Sequence, residues 1–205
     1  MRKQSKIIED TLDYYNKKAK EFVAETVDVP FAETQEIFLD YLPDGRAILD
    51  FGCGSGRDTK YFLGRGYTVE AIDGSEELCK IASEYTGISV KQMMFQELAC
   101  VEKYDGIWAC ASILHLEKGD LPDVLQKMEN ALKTGGVIYT SFKYGDFEGE
   151  RNGRYFTYLT EESFERIVGD ISELMIEKCW ITSDVRVERG EERWLNLILR
   201  KQAIH

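Results

Sequence analysis

The chain has 205 residues, of which 43% are hydrophobic and 31% charged, values that suit a folded domain with a sizeable core. Its 26 Lys and Arg against 37 Asp and Glu give a formal net charge of −11, which argues against a surface that wraps a nucleic-acid backbone. No apolar run reaches membrane-spanning length, and Ile7-Ile8 leads into Glu9-Asp10 rather than into the apolar core of a signal peptide, so the expected location is the cytoplasm.

In chain order, the first forty residues read as helical. Ile8, Leu12, Tyr15, Ala19, Phe22 and Val23 recur at three- and four-residue intervals and make one apolar stripe. Pro30 interrupts it, and a second helix is expected from Phe31 to Tyr41. Pro43-Asp44-Gly45 is turn chemistry, followed by a strand over 46–51, a helix over 55–63 and a strand over 67–72. Ser75 is placed to cap a helix reaching Tyr85, and a short strand is expected over 88–92. A buried strand over 104–109, a helix from about 120 to 132 and a strand over 137–142 follow. The segment 143–159, rich in Gly, Tyr and Arg, reads as a loop. A short helix starts at Thr160-Glu161-Glu162-Ser163, and strands over 173–182 and 192–200 close the chain through a hairpin turn at 186–193. Strands alternating with helices imply a doubly wound, mostly parallel sheet with one antiparallel strand. Five scattered cysteines without C-x-x-C spacing read as free thiols rather than a disulfide frame.

Two acids carry the functional signal. Asp50 ends a hydrophobic strand that runs straight into Gly52-Cys53-Gly54-Ser55-Gly56, and Asp73 ends the next strand, 23 positions later. A carboxylate at a strand tip beside a glycine loop suits a ribose diol. A dinucleotide loop, G-x-G-x-x-G, requires glycine at 57, where this chain has Arg57. The G-x-G-x-G spacing fits S-adenosylmethionine (SAM), which has no phosphate but needs a backbone that its amino-acid end can approach closely.

These residues resemble the class I SAM-dependent methyltransferases over nearly everything from Ala47 to Lys201. Asp50 to Gly56 corresponds to the family's first motif, Asp73 to its second, and Tyr104 to Cys110 to its fourth-strand motif. Leu132-Lys133-Thr134-Gly135-Gly136 corresponds to its L-x-P-G-G turn, with Thr134 in place of proline. Within the family the chain looks most like small bacterial enzymes akin to the tellurite-resistance methyltransferases. The resemblance implies a seven-stranded Rossmann-like sheet over 46–201, with residues 1–42 as a helical lid on a single domain.

It also implies a cofactor set: Asp50, Gly52, Gly54, Gly56, Asp73, Gly74 and Ser75, then Met94 and Phe95 at the adenine, with Cys110 on the segment that faces the methyl and Tyr15, like Tyr14, a lid residue on the first helix. Met94 and Phe95 serve equally well as core packing. His115, one of two histidines beside His205, is read as a general base or as a residue that only hydrogen-bonds the site wall. Arg154 and Tyr155 are read as a clamp on an anionic or hydrogen-bonding acceptor, or as residues of a solvated loop. Trp194 is assigned to the core, and no motif asks for a metal. Cys110 lacks the preceding proline of a covalent cytosine-C5 nucleophile. The expected activity is methyl transfer to a small molecule by a monomer or homodimer. A non-catalytic SAM-binding subunit, or a partner-dependent RNA or protein methyltransferase, is the alternative.

Overall fold

The structure is a computed structural model that describes residues 2–169, 171, 173–186 and 190–203. Two helices, α1 (Arg2–Thr26) and α2 (Ala32–Tyr41), precede an alternating run: β1 (Ala47–Phe51), α3 (Arg57–Gly64), β2 (Thr68–Asp73), α4 (Glu76–Thr86) and β3 (Lys91–Gln92). Then come β4 (Tyr104–Ala109), α5 (Leu121–Ala131), β5 (Leu132–Lys143), β6 (Glu148–Arg151), β7 (Arg154–Thr157), α6 (Glu161–Val168), β8 (Leu174–Ser183) and β9 (Arg193–Lys201). Seven strands form one sheet in the order β3-β2-β1-β4-β5-β9-β8. Only β9 runs against its neighbours, antiparallel to both β5 and β8.

Parallel strands covered on both faces are apolar throughout, and β4 is buried at every position. Its side chains alternate between two cores. Ile107, with Leu49 and Ile138, faces the α5 and α6 side, where Val124, Met128 and Phe164 pack. Trp108, with Ile48 and Tyr139, faces α2 and α3 through Phe38 and Phe62. Trp108 stacks on Tyr139 with ring centroids 4.1 Å apart, and its indole N–H donates to Asp58 at 2.9 Å. Asp58 also accepts from Gln35 of α2 at 2.6 Å and from both Nε and Nη2 of Arg57, at 2.7 and 2.9 Å. A carboxylate only 7% exposed thus gathers four donors from a helix, a helix start and the central strand.

The chain order reverses between β1 and β4, and that switch point is where an open α/β sheet binds ligands. Two expectations are corrected here. The strand expected over 88–92 shrinks to Lys91–Gln92, because this edge pairs only with Ile72 and Asp73 at the tip of β2. The segment 143–159 is not a loop. It carries the antiparallel hairpin β6–β7, turned through Asn152 and Gly153, whose φ angles of 53° and 76° suit a two-residue type I′ turn. The turn expected at 186–193 falls partly on 187–189, outside the described residues. Among the described residues no helix is long and apolar enough to cross a membrane.

Replacing Asp58 with Ala strands the Arg57 guanidinium and the Trp108 N–H together. The expected loss of stability is about 3 kcal/mol or more, read by urea unfolding as a lower midpoint at unchanged slope. A midpoint within error of wild type refutes the joint assigned to Asp58.

Candidate active site

The site grows from the end of β1. The chain turns sharply there: the carbonyl of Ile72 accepts from the N–H groups of both Gly52 (3.0 Å) and Cys53 (2.9 Å). Gly52 has φ 90°, and a Cβ on it would lie 2.5 Å from Cβ of Ser112. Gly54 has φ 54° and faces Phe22 of α1, 3.1 Å from where its Cβ would be. Both positions require glycine, for backbone geometry and for space. Asp73 closes the turn. One carboxylate oxygen accepts from Gly54 N and the other from Ser75 N, each at 2.9 Å. Burial pushes the Asp73 pKa up, and these N–H groups hold it back.

The cavity above this turn has a volume of about 250 Å³. Gly52, Gly54, Asp73, Gly74, Met94, Phe95, Cys110, Tyr15, His115 and Arg154 line it, so ten of the expected residues meet there. Four others do not. Asp50 is 1% exposed beneath the loop, where it accepts from Thr59 Oγ1 at 2.5 Å. Burial and the nearby Asp58 carboxylate raise its pKa to about 8. Gly56 packs α3 against α4, because its Cβ would meet Thr86 and Ala82 at 2.8 and 3.2 Å. Ser75 caps α4 by accepting from Leu78 N and donates to Asn16 of α1 at 2.7 Å. Tyr155 points its phenol away, donating to Glu148 at 3.0 Å.

One wall is Met93 to Gln96, with the Phe95 ring 4.8 Å from that of Phe51. Two polar atoms lining the cavity here, Gln96 Nε2 and Ser112 Oγ, are buried with no hydrogen-bond partner among the described residues. Neither residue is among the expected set. Gln96 is the polar side chain of the run Met93-Met94-Phe95-Gln96, and that was its only signal in the sequence.

At the other end, Ala111 takes φ 48°, a conformation L-residues avoid, and its N–H donates to Ser141 Oγ at 2.9 Å. This strained turn carries the chain from β4 toward His115. Burial, then Asp58, pushes the Cys110 thiol up to about 12, so it lines the cavity as a thiol rather than a nucleophile.

His115 is fixed at both nitrogens. Nδ1 lies 2.6 Å from the carbonyl of Tyr155, which can only accept, so Nδ1 carries the proton. Nε2, 2.8 Å from Tyr15 Oη, therefore accepts from the phenol. Burial first, and then the Arg154 charge, lower its pKa to about 4 against the raising effect of the Tyr155 carbonyl. Arg154 sits over the Tyr14 ring (4.4 Å) and beside those of Phe156 (5.0 Å) and Tyr15 (5.8 Å). Trp194, expected in the core, also reaches the cavity, where its indole N–H donates to Asp184 at 3.1 Å.

The roof is α1. Its apolar stripe is half-buried, and Ile8, Leu12, Tyr15 and Phe22 face the cavity. The Thr11 hydroxyl accepts from Tyr155 N at 3.1 Å and Asn16 holds the start of α4, so the helix is pinned on both sides of the opening.

Residues 48–136 match the family model described as a methyltransferase domain. A protein of Staphylococcus carnosus (strain TM300), described as an uncharacterized methyltransferase, is 26% identical over 167 residues, covering 74% of this chain and 80% of its own. Among solved structures, the 1,6-didemethyltoxoflavin-N1-methyltransferase of Burkholderia thailandensis, with bound 1,6-didemethyltoxoflavin and S-adenosylhomocysteine, superposes with a TM-score of 0.68 at 21% identity, over 93% of this chain and 90% of that one. TehB from Haemophilus influenzae gives 0.67 at 17% identity, over 93% of this chain and 66% of its own. The glycine turn, the Asp73 carboxylate and the one reversed strand agree with these matches: residues 48–136 match a methyltransferase domain, and the fold is the one shared by these methyltransferase structures.

Proposed function

We propose that this protein is a SAM-dependent methyltransferase that methylates a small molecule held under α1, between the Ala111 turn and the β6–β7 hairpin, with Tyr15 and His115 taking its proton. The observation that carries the reading is the hydrogen-bonded pair Tyr15–His115 inside a roofed cavity. A polymer would need an open groove, and the formal net charge of −11 disfavours nucleic acid.

The residues present fit SAM. The two unpartnered atoms, Gln96 Nε2 and Ser112 Oγ, offer hydrogen-bonding capacity in the wall for a purine and its sugar. Asp73 keeps lone pairs free on both oxygens for the ribose hydroxyls. Gly52 and Gly54 leave room for the amino-acid end, while Met94, Phe95 and Leu12 supply apolar walls. SAM brings an activated methyl on a positively charged sulfur, so the protein's work is alignment and proton removal. Tyr15 gives its proton to His115 Nε2 as it takes the proton of the acceptor, freeing the acceptor's electron pair for the methyl that bound SAM would supply, with S-adenosylhomocysteine as the leaving group. The Tyr155 carbonyl holds the imidazole in the tautomer that this requires. On this reading residues 1–42 are a lid on a single domain. The five free cysteines fit a cytoplasmic enzyme.

Calorimetric titration is expected to show S-adenosylhomocysteine bound at least as tightly as SAM. Asp73→Ala weakens both by about tenfold or more, equal to roughly 1.4 kcal/mol. Unchanged affinity removes Asp73 from the ribose. A second expectation follows from His115, whose folded pKa of about 4 lies below the unfolded value near 6.5. The unfolded chain takes up this proton first as pH falls. Its contribution to stability is therefore complete above pH 6.5 and is lost between about 6.5 and 4, at about 1.4 kcal/mol per pH unit. Imidazole 15N shifts are expected to show the neutral Nδ1–H tautomer from pH 8 to 5, and His115→Phe flattens the acid limb of the stability profile. Titration of the ring near pH 6.5 overturns the assignment. With an acceptor found by labelled-methyl screening, Tyr15→Phe is expected to lower kcat by about 10²-fold with SAM affinity kept.

A further inference from the structure

Four cationic side chains line the cavity, and three are neutralised by neighbours. Arg57 is bidentate on Asp58, Arg186 is bidentate on Asp184, and Lys143 lies 2.5 Å from Glu192. Arg154 is the fourth. Among the described residues no carboxylate pairs with it. Among these same residues its Nη1 reaches only the Tyr15 hydroxyl, at 3.5 Å, and its Nε is buried without a partner. The rings of Tyr14, Tyr15 and Phe156 surround the guanidinium instead. Aromatic faces offset part of the cost of desolvating a cation, but they supply no acceptor for its N–H groups.

From this geometry we infer that Arg154 is the recognition point for a carboxylate on the methyl acceptor, so that the substrates are small carboxylic acids that also carry the nucleophile to be methylated. The inference rests on the methyl-transfer reading above and names the substrate class of that site. A carboxylate matches the guanidinium because its two oxygens meet two parallel N–H groups, the unpartnered Nε among them. Flat aromatic walls favour a planar acid. The placement also fixes the reacting end. Arg154 and the Tyr15–His115 pair are joined through Tyr15 Oη, so an acid held by Arg154 presents its neighbouring hydroxyl or amine to the proton-accepting pair. Pairing with the anion further screens the Arg154 charge that disfavours a proton on His115. The acceptor thereby strengthens the base that deprotonates it.

The alternative occupant of Arg154 is the carboxylate of the cofactor's own methionine, and the test separates the two. Protein saturated with S-adenosylhomocysteine is titrated with benzoate and with benzamide, its uncharged isostere, by saturation-transfer NMR. Wild type is expected to bind benzoate at least tenfold more tightly than benzamide. Arg154→Gln abolishes that preference, Arg154→Lys restores part of it, and S-adenosylhomocysteine affinity changes less than twofold in both. Equal binding of benzoate and benzamide to wild type overturns the proposal whether or not the variants fold. A tenfold loss of S-adenosylhomocysteine affinity in a folded Arg154→Gln protein also overturns it and assigns Arg154 to the cofactor. Failure of wild type to bind S-adenosylhomocysteine at all refutes the methyl-transfer reading itself, a separate result from loss of the benzoate preference.

Discussion

The buried carboxylate of Asp58 is the joint on which the arrangement of this molecule depends. It stands one residue into α3, immediately after the glycine turn, and it is held by the central strand, by α2 and by the residue before it. A buried charge with four donors has no cheap alternative position. The start of α3 is therefore set against Trp108, and the turn of Gly52 to Gly56 between β1 and α3 has both ends anchored. The shape of the cavity floor follows from that restraint more than from any property of the loop itself. The Arg57 guanidinium extends the same joint to the Phe31 ring, 4.5 Å away, just before α2.

Much of the floor was readable from sequence because its signals are local. A hydrophobic strand, a glycine turn and an acid at the next strand tip are each encoded within ten residues. Ser75 announced its cap in the same way, and α4 begins where its hydroxyl accepts from Leu78 N. The closing pair of antiparallel contacts was visible in two late apolar runs separated by charge. What escaped was information carried by neighbours in space. Asp50 is indistinguishable in sequence from an acid that faces a ligand; only the fold shows Thr59 on its oxygen and the loop above it. Gln96 and Ser112 become notable only when their surroundings prove to lack a partner.

The hairpin is the instructive failure, since its signal was present. Asn152-Gly153 is strong two-residue turn chemistry, yet the surrounding glycines, tyrosines and arginines suggested an irregular loop. The error propagated to the site. In a loop Arg154 and Tyr155 can act together, whereas in a strand consecutive side chains face opposite ways. Arg154 and Phe156 accordingly face the cavity, and Tyr155 faces Glu148. Tyr155 still matters, through its main chain: the carbonyl sets the tautomer of His115 and the amide reaches Thr11. No side-chain pattern encodes that role.

Under the proposed methyl-transfer reading, the pinning of α1 has a consequence for the order of events in a catalytic cycle. The helix that covers the cavity also supplies Tyr15 to His115, and its Thr11 is bonded to the residue that fixes the histidine's other nitrogen. Lifting the helix to admit or release a ligand breaks these contacts together. On the proposed reading the relay is complete only while the helix is in place, and lifting it leaves His115 without its phenol. On that reading, admission and reactivity are mutually exclusive states of one helix, which protects a reactive methyl donor from discharge to solvent while the door stands open.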